Sequence, residues 1–382
     1  MMKKILAVLL TFSILTGTLF SFDEDVYAED MAYLTAELNS GIVIEEHDSD
    51  IQMPCAGMVR LMSCLIFFES MASGRVKADE NVKVSSLASK CTGTRVFIDS
   101  GTEYPFSSLL YASVMCSAND AVYALAEHIS GTEEAFVSEM NKRAVELGLG
   151  AVFTDCTGLD EENAHMSAKD ILLIAREIRK YPLFFQYSKV YMDTFTHNSG
   201  RVTEMVNGNR LVRTENINGM ATSSSKKAGY CIAAVLDGGS ADFLTVMLGC
   251  GSSDVRFRET LRMISYANAN YTLKVFAEKG AKLGSVKIEK GWCESYPYYA
   301  AEDLKLLIVK GTENGIERSV EFFEELEAPL FAGDKVGVMK VKLADGTEYT
   351  VPAVLGEDIP VIDIGSSVSC ILRIWIGIEE AA

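Results

Sequence analysis

Beyond about residue 275 helical periodicity disappears from this chain, and that change limits the folds open to it. Short alternating runs at 304–309, 336–343 and 348–355 are separated by turn signals at Gly311, Gly333-Asp334 and Asp345-Gly346. This is the pattern of a small all-β, sandwich-like domain. Upstream, strands stand at both ends of a helical stretch. Residues 32–46 alternate around Asn39-Ser40-Gly41, a hairpin signal, and 228–236 with 243–248 form a second hairpin around Asp237-Gly238-Gly239. Between them lie helical segments at 58–71, 107–131, 133–147 and 167–179, and another follows at 256–268. Ser167 is placed to cap its helix, with Asp170 at the third helical position. The first domain is therefore α/β (α+β), and its terminal strands are positioned to share one antiparallel sheet.

Length and charge narrow the function classes. A chain of 382 residues with 48% hydrophobic content suits two folded domains. The net charge of −18 gives no basic face for a nucleic acid and disfavours anionic lipid. Nine cysteines at wide, irregular spacing and only four histidines form no metal-binding pattern. Most of the cysteines read as buried small apolar residues, with one or two bridges at most. No cofactor and no metal is implied.

The amino terminus reads as an export signal. Lys3 and Lys4 precede an apolar run over 5–20, and Val26-Tyr27-Ala28 offers a cleavage site. The run is short for a membrane span, which needs about 20 apolar residues. The expected organisation is a signal peptide at 1–28, a first domain at 29–275 and a β domain at 276–382, with the protein on the outer side of the membrane.

Five blocks in order carry a resemblance. They are Asn119-Asp120-Ala121 with the 124–131 helix, Thr157-Gly158-Leu159-Asp160, His165-Met166-Ser167-Ala168-Lys169-Asp170, Asn207-Gly208-Asn209-Arg210-Leu211, and Lys227-Ala228-Gly229-Tyr230-Cys231. In this order the chain resembles the penicillin-binding D-alanyl-D-alanine carboxypeptidases, serine-type DD-peptidases of the β-lactamase/transpeptidase-like fold. The segment 280–365 resembles their small C-terminal domain. The resemblance implies a β-lactamase/transpeptidase-like domain, a role in peptidoglycan metabolism and a stem peptide as ligand. It also implies an SxxK nucleophile–base pair, an SxN motif and a KTG motif.

Against that pattern the chain departs at two of three motifs. Gly57 stands at the nucleophile position and Arg60 at the base position of SxxK. Glycine has no nucleophile, and arginine stays protonated and cannot accept the proton. Ser117-Ala118-Asn119 keeps SxN, although serine and asparagine are also favoured where helices begin. KTG reads Ala221-Thr222-Ser223, so the substrate-binding strand lacks its lysine. The SxxK matches within 223–227 fall where a strand begins and lack helical geometry. Cys55, before a helix, and Cys116, beside SxN, have no nearby histidine to serve as base.

The expected function is therefore a non-catalytic, carboxypeptidase-like binding or regulatory protein of the cell wall. Gly57 leaves room beside Arg60, whose guanidinium suits a terminal carboxylate or, alternatively, an acidic neighbour. The alternative functions are an active D-Ala-D-Ala carboxypeptidase with an unusual nucleophile, and a pure interaction protein. The basic amphipathic anchor of the family is not evident at 372–382, where one base faces two acids, so membrane anchoring is not expected.

Overall fold

The computed structural model describes residues 31–159 and 163–361. The export segment, Asp160, Cys370 and the 372–382 tail lie outside the described residues. By packing, 264–361 gather with the hairpin tips 36–44 and 236–243 in one unit, and the rest of the described chain forms the other.

Strands β1 (Ala32–Glu37) and β2 (Val43–His47) form the first hairpin. A 3₁₀ turn at Ala56–Val59 leads into helix α1 (Arg60–Ala72). Leu61 through Phe68 are all buried, as an apolar pattern around the whole circumference requires. Helix α2 (Phe106–Met115) ends at Cys116, and α3 (Asn119–Ser130) begins three residues later, so the 107–131 helical region is two helices. Phe67 of α1 meets Phe106 of α2 at 6.4 Å between ring centroids, and Phe136 of α4 (Glu133–Glu146) at 5.3 Å. Helix α5 (Ala168–Ile178) carries a complete capping box: Asp170 N–H donates to Ser167 Oγ, and Ser167 N–H donates to Asp170.

Three long strands follow, β3 (Ile217–Ser225), β4 (Gly229–Asp237) and β5 (Asp242–Cys250), and then helix α6 (Ser253–Asn270). The sheet order β2-β1-β5-β4-β3 brings the chain's first described strand beside β5, the terminal pairing expected from the pattern. Thr35 and Thr245, 210 residues apart in sequence, share a buried hydrogen bond across that pairing at 2.9 Å. β3 is an edge strand, and that position sets up the site.

The second unit is all β after α6. Strands β6 (Tyr271–Ala277), β7 (Lys282–Val286), β8 (Tyr296–Ala300), β9 (Leu304–Val309), β10 (Glu317–Phe322), β11 (Lys335–Lys342) and β12 (Glu348–Leu355) form a pair, β6-β9, and a five-stranded sheet, β7-β8-β12-β11-β10. Phe276, Leu306 and Ile308 of the pair pack with Met339, Val341 and Val351 of the larger sheet, a shared apolar layer of the kind that defines a sandwich. No helix among the described residues is long and apolar enough to cross a membrane.

Candidate functional site

The 3₁₀ turn before α1 determines the geometry at residues 57 and 60. In a 3₁₀ turn side chains three apart eclipse one another, so the Arg60 side chain lies over residue 57. The overlap is close. A Cβ built on Gly57 would sit 2.1 Å from Arg60 Nη2 and 2.4 Å from both Cζ and Nη1. The guanidinium therefore fills the space that any side chain at 57 would need. It is held there by two bonds, as Nη1 donates to the Thr157 carbonyl at 2.8 Å and to Asn119 Oδ1 at 3.1 Å. Arg60 forms no ion pair among the described residues, so carbonyl oxygens, rather than an acidic neighbour, position it. Burial lowers its pKa, but a guanidinium remains charged at working pH.

The Thr157 carbonyl is itself fixed. Asp155 Oδ1 accepts from the Thr157 N–H at 2.6 Å and hydroxyl at 2.8 Å. Gly158 then adopts φ +80°, and a Cβ there would come within 2.1 Å of the Ala56 carbonyl oxygen. Only glycine lets this loop close on the turn that carries residue 57.

Ser117 lies between α2 and α3 and Asn119 is the first residue of α3, and neither side chain caps the helix: its N-cap is Ala118, with no side-chain cap bond. Side-chain capping thus does not account for them. Asn119 Nδ2 donates to the Thr92 carbonyl at 2.9 Å while its Oδ1 accepts from Arg60, so this amide links the 92–94 loop to α1. Ser117 sits at φ +60°, a conformation uncommon for serine, and lines the cleft. Next to it, Asp120 is fully buried and accepts from the Val96, Ile98 and Ala121 N–H groups, which fixes the loop above the motif.

The opposite wall is edge strand β3. Thr222, Ser223 and Ser224 line the cleft, while Ala221 is buried and does not. Ser223 Oγ donates to the Cys55 carbonyl at 3.1 Å and so ties the strand to the 3₁₀ turn. The Asn207-Gly208-Asn209 loop closes one end, for a Cβ on Gly208 would lie 2.7 Å from Thr222 Oγ1.

One cleft residue escaped the sequence reading. Arg256, on α6 and 7% exposed, donates through Nη1 to the Ser223 carbonyl at 2.9 Å and to the Cys231 carbonyl at 3.1 Å. Its only sequence signal was a basic residue in the first turn of a helix, where the helix dipole disfavours a cation. The cleft, about 380 Å³, thus carries two arginines and a set of hydroxyls, and no Asp, Glu, Lys or His lines it among the described residues.

The two thiols near the site are poor nucleophiles. Burial pushes the Cys116 thiol up to about 12, and the Cys55 thiol is raised further, also by burial. All eight described cysteines are free, and seven of them are buried. The 223–227 SxxK matches lie on the end of β3 and the turn after it, with Lys226 and Lys227 exposed, so they have no helical face. No cluster of metal-ligating side chains occurs among the described residues.

Comparison with known proteins agrees with this layout. A family profile described as D-alanyl-D-alanine carboxypeptidase matches residues 22–252, and one described as penicillin-binding protein 5, C-terminal domain, matches 271–361. The chain is 29% identical over 309 residues to the D-alanyl-D-alanine carboxypeptidase DacF of Bacillus subtilis, covering 80% of this chain and 79% of DacF. It is 27% identical over 341 residues to DacA of Escherichia coli, covering 86% and 83%. Penicillin binding protein 5 from Haemophilus influenzae superimposes with a TM-score of 0.76 at 26% identity, covering 86% of this chain and 97% of that one.

Proposed function

This chain belongs to the D-alanyl-D-alanine carboxypeptidase family, and from that premise we propose that it is an exported member that binds peptidoglycan stem peptides without hydrolysing them. The observation that carries the reading is the Arg60 guanidinium lying where the side chain of residue 57 would be. Acyl transfer by a hydroxyl needs a nucleophile with a base in hydrogen-bond reach. At this place the chain has a hydrogen atom and a permanent cation.

The other groups of the cleft support the same reading. Ser117 presents a hydroxyl, but among the described residues no lysine or histidine lines the cleft to take its proton. Ala221 leaves the edge strand without the lysine of KTG. Losing parts of a nucleophilic unit lowers rates by several orders of magnitude. What remains is a polar, cationic groove along an exposed strand edge, which suits an extended peptide bearing a carboxylate. Export is supported by Lys3, Lys4 and the 5–20 apolar run. We place the boundary between the carboxypeptidase-like and β domains near residue 275.

The test is intact-mass spectrometry of the mature chain after incubation with excess penicillin, together with calorimetric titration of stem peptide. The expected result is peptide binding with no covalent adduct. A stoichiometric adduct mapped to Ser117 or to 223–225 would replace this reading with an active carboxypeptidase that has a displaced nucleophile. Absence of all peptide binding by the folded chain would leave an interaction protein.

A further inference from the structure

We infer that the cleft is selective for stem peptides already trimmed to a single terminal D-Ala, and that Arg60 reads the new carboxylate. The inference rests on the stem-peptide reading above and adds to it the chemical form of the ligand.

The argument begins with what a nucleophile marks. In acyl transfer the attacking atom approaches the scissile carbonyl carbon to about 3–3.5 Å. The position of a side chain at 57 therefore marks where the carbonyl of the penultimate residue would rest. Here that position holds Arg60 Nη2, 2.1 Å from the ideal Cβ. Nη1 is already engaged by Asn119 and Thr157, whereas Nη2 has no hydrogen-bond partner among the described residues. A free, charged donor thus faces the place reserved for that carbonyl.

Two ligands can present an oxygen there. A peptide ending in D-Ala-D-Ala presents a neutral amide carbonyl, and its charged terminus lies one residue further on, about 3.5 Å away along the chain. A peptide shortened by that one residue presents a carboxylate at the same place. A carboxylate meets the guanidinium as a full ion pair with two charged acceptor oxygens, whereas the amide carbonyl offers one neutral acceptor and no net charge.

The surroundings favour the anion. Residue 60 opens α1, whose 13 residues carry no acidic side chain in the first turn, so the helix dipole adds positive potential there. Arg256, nine-tenths buried, contributes a second charge on the same cleft; its Nε is buried with no hydrogen-bond partner. In a chain of net charge −18, a cleft lined by two arginines and no described carboxylate is a local reversal of sign. Hydrolysis by a carboxypeptidase-class enzyme would supply the ligand, so this protein would act after trimming.

The test is calorimetric titration of the mature chain with three probes: diacetyl-L-Lys-D-Ala, its C-terminal amide, and diacetyl-L-Lys-D-Ala-D-Ala. The trimmed acid is expected to bind at least about tenfold tighter than either other probe, the low end of the contribution of one charged hydrogen bond. Arg60→Ala is expected to abolish that preference. The amide comparison uses the unmodified protein, so the result does not depend on the variant folding. Equal binding of acid and amide, or tighter binding of the D-Ala-D-Ala peptide, overturns the inference while leaving stem-peptide binding in place. No binding of any probe removes both.

Discussion

Gly57→Ala tests the site with a single methyl group. The new Cβ would overlap the guanidinium at 2.1 to 2.4 Å, so Arg60 must leave its position. It then gives up its bonds to Thr157 O and Asn119 Oδ1, two acceptors on residues that are each 2% exposed. Hydrogen bonds involving a charged group contribute about 1.5–3 kcal/mol each. The pair therefore loses at least about 3 kcal/mol by that scale, since the released guanidinium regains water only in the cleft. Replacing glycine in a helical turn returns about 0.5–1 kcal/mol. The net expectation is about 2 kcal/mol of destabilisation, or about 4–8 °C in Tm for a domain of this size. Arg60→Ala alone loses the same two bonds. In the double variant no guanidinium remains to collide with the methyl, so the second substitution brings only the gain of about 0.5–1 kcal/mol from replacing glycine. Urea denaturation of the four proteins in a double-mutant cycle is expected to give a coupling of about 2 kcal/mol or more. Additivity within about 0.5 kcal/mol would refute the claim that these two residues occupy one space.

Three further outcomes follow from other parts of the fold. Gly158→Ala is expected to destabilise by at least about 2 kcal/mol in the same denaturation assay, because the position combines φ +80° with a backbone oxygen 2.1 Å from the new Cβ; a near-neutral result would mean the loop can withdraw from the turn at 56–57. Ser167→Ala removes the donor-accepting half of the α5 capping box and is expected to cost about 1 kcal/mol, read as a lower urea midpoint with unchanged slope. Burial pushes the thiols of Cys64, Cys91, Cys116 and Cys250 up to about 12 from an ordinary 9.0. Their folded pKa values exceed the unfolded ones, so their contribution is complete below about pH 9 and is lost as pH rises towards 12, at up to about 1.4 kcal/mol per pH unit for each thiol. Denaturation midpoints are expected to fall steeply between pH 9 and 10.5, and a flat profile there would contradict burial of these thiols.

Local sequence carried most of the first domain. The hairpin at Asn39-Ser40-Gly41, the buried α1, the Ser167 cap and the strand pair around Asp237-Gly238-Gly239 are each set by neighbouring residues. Parts of the β domain were less legible. The Tyr296–Ala300 strand contains Pro297, and the Glu317–Phe322 strand is an exposed, charged edge, so neither shows strong alternation. The site divides in the same way. Motif spacing alone singles out positions 57, 60, 117 and 119, and a glycine at 57 implies room beside Arg60. That the guanidinium itself fills this room depends on a 3₁₀ turn, and that Thr157 and Asn119 hold it depends on contacts 97 and 59 residues apart in sequence. Arg256 reaches the cleft only through the crossing of α6 with β3 and β4, which no local pattern encodes.

The departures from the family motifs are coupled through geometry and charge. A guanidinium in its observed position requires glycine at 57, since any Cβ there collides with it. Gly57→Ser alone would therefore expel Arg60 before it could offer a hydroxyl, and Arg60→Lys alone would give an amine with no hydroxyl to activate. Ala221 removes a second cation from the edge strand, yet Arg60 and Arg256 keep the cleft positive. Nucleophilic chemistry depends on an oxygen and a base within about 3 Å of each other, and one substitution is enough to end it. Attraction of a carboxylate depends only on net positive charge and free donors, which many arrangements satisfy. On the proposed reading the same cleft lacks the parts for cleavage and holds the parts for recognition, because the two functions place different demands on the same few atoms.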